Sequence, residues 1–230
     1  MKIAIMGAMP EEIAPILEKL DSYKTTEYAN NKYYEANYKG TDLVIAYSKI
    51  GKVFSALTAT TMIEHFGCKK LLFSGVAGAI SPDLKVGDLI IATKLSQHDL
   101  DISAFGHPFG FVPEGKVFVE ADKNLISLGK EVAREMGKTV QEGIIATGDQ
   151  FVANEDRKNS IGDIFGADAL EMEGGSVAVV CDALNVEFFI LRAISDAADM
   201  DASFSFDEFL QTSAIESAEF VMKMVDKLVD

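Results

Sequence analysis

Short apolar runs broken by glycine or polar residues recur along the chain: KIAIMGAM (2–9), DLVIAYSKIG (42–51), KKLLFSGVAG (69–78), DLIIATKL (88–95), EGIIATGDQF (142–151) and EFFILRAISD (187–196). Each has strand length, is rich in Ile, Leu, Val or Phe, and is continuous rather than alternating, the pattern of strands covered on both faces. Helical segments lie between many of them. PEEIAPILEKL (10–20) opens on Pro10 and two acids, favourable residues for a helix start. KVFSALTATTMIEHFG (52–67) has apolar residues every three or four positions and runs into Gly67, a C-terminal stop. Near the end, Ser205 and Glu208 have capping-box spacing. Phe206, Phe209, Leu210, Ala214, Phe220, Val221, Met224, Val225 and Leu228 then form a stripe expected to pack on the sheet. The stretch 28–49 reads instead as neighbouring strands joined by tight turns, the second at Lys39-Gly40, so the sheet is expected to be mixed. No internal repeat, low-complexity tract or linker interrupts this order, and residues 1–230 are expected to form one α/β domain with helices on both sheet faces.

Composition narrows the function classes. A chain of 230 residues with 48% hydrophobic content can bury a sizeable core. The net charge of −15 is scattered among apolar segments, so a nucleic-acid or anionic-membrane partner is disfavoured. Cys68 and Cys181 are the only cysteines, no CxxC or Cys/His cluster occurs, and both are expected to be buried, reduced thiols. The opening MKIAIMGAMPEE has too short an apolar run for a secretory signal, and no run approaches the ~20 residues of a membrane helix. A cytoplasmic location is expected.

The polar residues at the strand ends carry the chemistry. In open α/β sheets, sites form where strands end. GAMPEE brings Glu11 and Glu12, SGVAG is small enough to let a ligand approach the backbone, GDQFV brings Asp149, EMEGG brings Glu171 and Glu173, and SDAAD brings Asp196. Singly, each acid has an ordinary reading: Glu11 or Glu12 favouring a helix dipole, Asp196 a cap or a partner of Arg192, Glu171 or Glu173 a buried structural carboxylate. Together, with no Lys or Arg cluster to balance them, they suit accepting hydroxyl hydrogen bonds and moving protons, and they are badly suited to gripping phosphate. The segment SAFGHPFGFVPEG (103–115) is a further anomaly. Its Phe105, Phe109 and Phe111 sit among glycines and prolines and need a cover, read here as a partner subunit or a ligand rather than a local mini-core.

GAMPEE, SKIGKV, SGVAGAI, LKVGDLI, HDLDISAFG, GDQFV, LEMEG, RAISD and SFDEFL occur in an order and spacing that resemble the bacterial 5′-methylthioadenosine/S-adenosylhomocysteine nucleosidases. The likeness runs from the first strand to the last helix. It implies the nucleoside phosphorylase/hydrolase fold, a three-layer α/β/α sandwich with a mixed central sheet. It also implies hydrolysis of the N-glycosidic bond of 5′-modified adenine nucleosides, a homodimer, and no cofactor or metal. Some members also accept aminodeoxyfutalosine, a menaquinone precursor.

The same resemblance assigns roles by position. Asp196 is the general acid that protonates a ring nitrogen of the leaving adenine, and Glu12 the general base that delivers water to the anomeric carbon. Glu173 accepts hydrogen bonds from the ribose hydroxyls, with Met172 along the ribose or base. Phe151 stacks on adenine, the Val152 backbone reads its edge, and Ala77 and Gly78 line the base pocket. Met9, Ile50 and Phe206 wall the sugar and its 5′-thioether, while Phe105 and Pro113 reach in from the partner of a dimer. Arg192 and Ser195 hold water and acids in register. Glu171, two residues before Glu173 on an extended segment, is expected to point the same way and to support Arg192 or order Glu173. His65, His98 and His107 receive no catalytic role. Val76 stands where some relatives carry a hydroxyl, which puts a water contact there in question.

Two other functions compete with hydrolysis. A phosphorylase on the same fold would need cations around the attacking anion, which GAMPEE and SGVAG lack. A non-catalytic nucleoside-binding module would have no use for acids on both faces of a ribose.

Overall fold

The computed structural model describes residues 1–113, 115–198 and 202–229, with backbone alone over 202–208. Each apolar run forms a strand: β1 (Lys2–Gly7), β4 (Thr41–Tyr47), β5 (Lys70–Ala79), β6 (Leu89–Gln97), β8 (Val140–Thr147) and β10 (Glu187–Asp196). Before β4 run β2 (Lys24–Tyr28) and β3 (Asn31–Tyr38), and the short β7 (Val119–Glu120) and β9 (Ala169–Glu171) complete the set. Both hairpin turns before β4 are two-residue turns with positive φ, Ala29-Asn30 and Lys39-Gly40, whose twist matches that of antiparallel strands.

The sheet is mixed, as the hairpins require. In order it reads β10-β6-β8-β9-β5-β1-β4-β3-β2, with β7 against β6. Strand β10 also pairs with β5, so β5, β10, β6, β8 and β9 close into a ring. Helices flank it: α1 (Pro10–Leu17), α3 (Lys123–Glu135) and α6 (Ala202–Val229) pack together as one layer, and α2 (Lys52–Thr60) packs on α5 (Gly174–Leu184) as the other. Helix α4 (Glu155–Phe165) lies on β8. This is the expected three-layer α/β/α arrangement. The core is the interior of both sheet faces, including Ile3, Ile5, Leu72, Phe73, Ile90, Phe189 and Phe220. Among the described residues no helix is long and apolar enough to cross a membrane.

Three helix boundaries differ from the sequence pattern. Helix α1 stops at Leu17, not Leu20, and Pro15 withdraws one N–H from its second turn. Helix α2 ends at Thr60 and continues as a π-helical turn, Thr61–His65. There the Thr61 hydroxyl donates to the Leu57 carbonyl at 2.8 Å, a back-bond of the kind that bends helices. Helix α6 begins at Ala202, so Ser205 falls inside it rather than capping it. The side chains of Ser205, Phe206 and Glu208 lie outside the described residues. Of the stripe that follows, Ala214, Phe220, Val221, Met224 and Val225 are buried.

Candidate active site

The parallel strands β1, β5 and β10 end side by side, and β9, antiparallel to β5, brings its last residues alongside through the Gly78–Leu170 pairing. One pocket lies over these ends. Its lining includes Met9, Glu12, Ile50, Ala77 and Gly78, then Phe151, Val152, Met172, Glu173, Ser195 and Asp196, with Glu171 and Arg192 beneath. Residues distant in the chain thus meet in one concavity, and four of them, Glu12, Glu171, Glu173 and Asp196, are buried carboxyls.

Glu12 is the third residue of α1, and its side chain folds back over the strand-to-helix turn. Oε2 accepts the N–H groups of Ala8 at 2.5 Å and Met9 at 3.1 Å, capping the helix start from within. Oε1 accepts the Val76 N–H at 3.3 Å, so position 76 engages the acid through its main chain, whatever its side chain. Burial raises the Glu12 pKa above the usual carboxylate range; the nearby Arg192 charge and the three N–H donors oppose that rise without cancelling it.

Asp196 owes its aim to a β-bulge. On β10, Ile194 pairs with Ala77 but Asp196 pairs with Gly78, leaving Ser195 as the extra residue. The Ser195 hydroxyl donates to Asp196 Oδ2 at 2.8 Å and the Ala198 N–H to Oδ1 at 2.8 Å.

Gly78 of SGVAG lines the pocket as expected, and the glycines of this segment also make room for the acids. A Cβ on Gly75 would stand 2.8 Å from Glu12 Oε1, and one on Gly78 would stand 2.7 Å from Asp196 Oδ1. Each glycine is the seat of one carboxyl group.

Glu171 and Glu173 do not point the same way. The extended segment ends at Glu171, and Glu173 is already the N-cap of α5, so the two-residue period stops between them. Glu171 turns to the interior. Its Oε2 accepts Arg192 Nη2 at 2.7 Å, Glu173 N at 3.1 Å and Gly174 N at 2.7 Å, and its Oε1 accepts the Thr147 hydroxyl. Arg192, 1% exposed, also donates to the Leu191 carbonyl and lies over the Phe73 ring. Glu173 instead lines the pocket, Oε1 accepting the Gly51 N–H at 2.9 Å. Burial, then the neighbouring Glu171 charge, pushes the Glu173 pKa up to about 8, against the lowering pull of the Gly51 N–H and Arg192.

Phe151 and Ile50 stand half open at the rim, 50% and 57% exposed, while Val152 is buried. The pocket does not gather every expected residue. Phe105, 82% exposed on the turn Ser103–Phe105, and Pro113 lie outside it, and Phe206 lies outside the described residues. Within the same loop His107 stacks on Phe111, so part of the aromatic segment covers itself. Ala8, Gln150 and Leu170 also line the pocket without having been singled out. Ala8 and Gln150 lie within GAMPEE and GDQF beside Met9 and Phe151, but Leu170 reads as ordinary core. His98 is buried, its Nδ1 3.3 Å from Arg157 Nη2, and does not line the pocket. Among the described residues, no group of His, Cys, Asp and Glu is disposed to hold a metal ion.

A family model described as the phosphorylase superfamily matches residues 2–229. The aminodeoxyfutalosine nucleosidase of Campylobacter jejuni is 59% identical over 228 residues, covering 99% of this chain and 100% of that one. The 5′-methylthioadenosine/S-adenosylhomocysteine nucleosidase of Anoxybacillus flavithermus is 38% identical over 233 residues, covering 99% of both. The crystal structure of the Helicobacter pylori 5′-methylthioadenosine/S-adenosylhomocysteine nucleosidase with butyl-thio-DADMe-Immucillin-A superposes with a TM-score of 0.96 at 50% identity, covering 98% of each chain.

Proposed function

The chain belongs to the phosphorylase superfamily, and from that premise we propose that it hydrolyses the N-glycosidic bond of 5′-modified adenine nucleosides, aminodeoxyfutalosine and methylthioadenosine among them. The observation that carries this reading is the convergence of Glu12, Glu173 and Asp196 on one pocket in which Arg192, the only cation among the described lining residues, is already bound to Glu171. Such a site has proton donors and acceptors to spare and no unengaged cation for a phosphate nucleophile.

Protonated Asp196 gives its proton to a ring nitrogen of adenine as the glycosidic bond breaks, so the base leaves neutral. Glu12 takes a proton from the attacking water, and the remaining hydroxide forms the new bond to the anomeric carbon. One proton thus enters the base and one leaves the water, and solvent resets the two acids. A carboxyl whose pKa is raised by burial is a stronger base than an ordinary one, which suits Glu12 to taking a proton from water. Glu173, accepting from the vicinal hydroxyls, fixes the ribose and stabilises positive charge developing on it. Phe151 stacks on the adenine, the Val152 backbone reads its edge, and Ala77 and Gly78 border it. Met9, Ile50 and Met172 contact the sugar and its 5′-substituent. Ser195 orients Asp196, and the Glu171–Arg192 pair supports the pocket floor.

A homodimer is part of the proposal. Ile50, Val53, Phe54 and Leu57 form an exposed apolar stripe at i, i+3, i+4 and i+7 on and before α2, and the exposed Phe105 adds to the unpaired apolar surface. In this reading a second copy covers that stripe, and Phe105 and Pro113 of its 103–115 loop close the open side of the pocket. The free, buried thiols of Cys68 and Cys181 suit a reducing, cytoplasmic setting.

Adenine release from each nucleoside, measured with and without phosphate, tests the reaction. The expected result is phosphate-independent release that falls at least ~10²-fold in Asp196→Asn. Obligatory phosphate dependence, or full activity in that variant, would overturn the reading.

A further inference from the structure

Helix α2 starts without a cap of its own. Its N-cap is Gly51, with φ 100° and no side chain to satisfy the first-turn N–H groups. Two carboxylates from elsewhere in the chain fill that role. Glu173 takes the Gly51 N–H, and Asp149 Oδ1 takes the Lys52 N–H at 2.7 Å. Asp149 is itself held, because its N–H donates to Asp99 Oδ2 at 2.8 Å. The other Asp99 oxygen receives Lys52 Nζ at 2.6 Å, and Lys52 Nζ also reaches Gln97 Oε1 at 3.2 Å. The bonds form a closed circuit: Lys52 backbone, Asp149, Asp99, Lys52 side chain.

This circuit joins two walls of the pocket. Residues 50 and 51 lie on the ribose side, where Ile50 lines the pocket and Gly51 holds Glu173. Residues 150–152 lie on the other, where Gln150, Phe151 and Val152 line it. Asp149 sits between them in sequence and in space: a Cβ on Gly51 would stand 3.0 Å from Asp149 Oδ1. Asp149 is exposed and does not line the pocket, so its effect must pass through its neighbours.

We infer that Asp149 is a positioning residue which, with Asp99 and Lys52, seats the start of α2 so that the Gly51 N–H meets Glu173 and the two pocket walls keep a fixed spacing. The inference rests on the proposed role of Glu173 as the ribose-binding carboxylate. Without Asp149, a helix start with an unsatisfied N–H relaxes toward water and draws Gly51 away from Glu173. Glu173 then faces Glu171, Arg192 and Glu12, the charged groups that act on it in the pocket, without the hydrogen bond that favours its ionised form.

The test is Asp149→Ala beside Asp149→Asn, which keeps an acceptor oxygen for the Lys52 N–H. Asp149→Ala should raise KM roughly tenfold, with kcat changed less, and move the acid limb of the kcat/KM profile to higher pH by roughly half a unit or more. Asp149→Asn should recover most of both effects, although a purely structural role would appear only in the thermal midpoint. An unchanged KM and acid limb in Asp149→Ala, or no recovery in Asp149→Asn, overturns the inference. Should Asp149→Ala fail to fold, Lys52→Met, which opens the circuit at Asp99, must show the same two kinetic changes. A wild-type chain that releases no adenine overturns the reading of the site itself; normal wild-type release with unaltered variants overturns the positioning role alone.

Discussion

Replacing Arg192 with Met should destabilise the fold more than removing the whole ion pair does. The guanidinium is 1% exposed and its Nη2 lies 2.7 Å from Glu171 Oε2, the one salt bridge among the described residues with both partners buried. Two unit charges at that separation attract by about 6 kcal/mol at an effective dielectric constant of ~20. Dehydrating the two ions costs several kcal/mol each, so the pair as a whole adds little net stability. Breaking it from one side is different. Glu171 would keep its dehydration cost and lose its counter-charge, a loss of ~3–5 kcal/mol. The Thr147 hydroxyl and the Glu173 and Gly174 N–H groups still bond it, which places the expected loss at the lower end of that range. Against a total stability of ~5–15 kcal/mol this is a large fraction, and urea denaturation would resolve it. Glu171→Gln combined with Arg192→Met removes both charges while keeping an amide oxygen to accept the Glu173 and Gly174 N–H groups, with the amide NH2 able to donate to the Thr147 hydroxyl oxygen. The double variant should therefore be more stable than Arg192→Met alone, with a coupling energy of ~1–3 kcal/mol. Because the Arg192 charge lowers the pKa values of Glu12 and Glu173, the acid limb of kcat/KM should also move to higher pH in Arg192→Met. Single-variant losses that simply add in the double variant would refute the account of a dehydrated, mutually dependent pair.

Two further predictions concern Glu173 and the loop. With the Glu173 pKa at about 8 in the fold against an ordinary 4.5, the folded chain retains a proton that the unfolded chain releases between those values. Stability should therefore fall as pH rises through that window and remain lowered above it; Glu173→Gln should flatten the dependence of the melting temperature on pH and melt higher than wild type on the alkaline side, and an unchanged slope would contradict the burial of a protonated acid. If the 103–115 loop completes a neighbouring pocket, Phe105→Ala should raise KM, and mixing it with Asp196→Asn should regain activity, since a mixed dimer contains one site with an intact Asp196 and an intact Phe105. No regain after subunit exchange would rule out that arrangement.

Much of this protein was legible in the chain because it depends on local rules. Continuous apolar runs marked the doubly covered strands, the tight turn at Lys39-Gly40 marked the mixed sheet, and acids following strand ends marked the pocket. The motifs GAMPEE, EMEG and RAISD identified Glu12, Glu173 and Asp196 before any of them could be seen to share a pocket. Other features arose only from approach in three dimensions. The pairing of β10 with both β5 and β6 closes a ring that no local pattern specifies. Gly75 and Gly78 leave room for carboxyl groups contributed by α1 and β10, Glu171 turns from Glu173 to Arg192 where its strand ends, and Asp149 caps a helix whose first residue lies far back in the sequence. The physical reason is range. Backbone propensity and apolar periodicity act over a few residues and can be read in order, whereas the partner of a buried charge is fixed by which elements pack together, and that choice belongs to the whole fold.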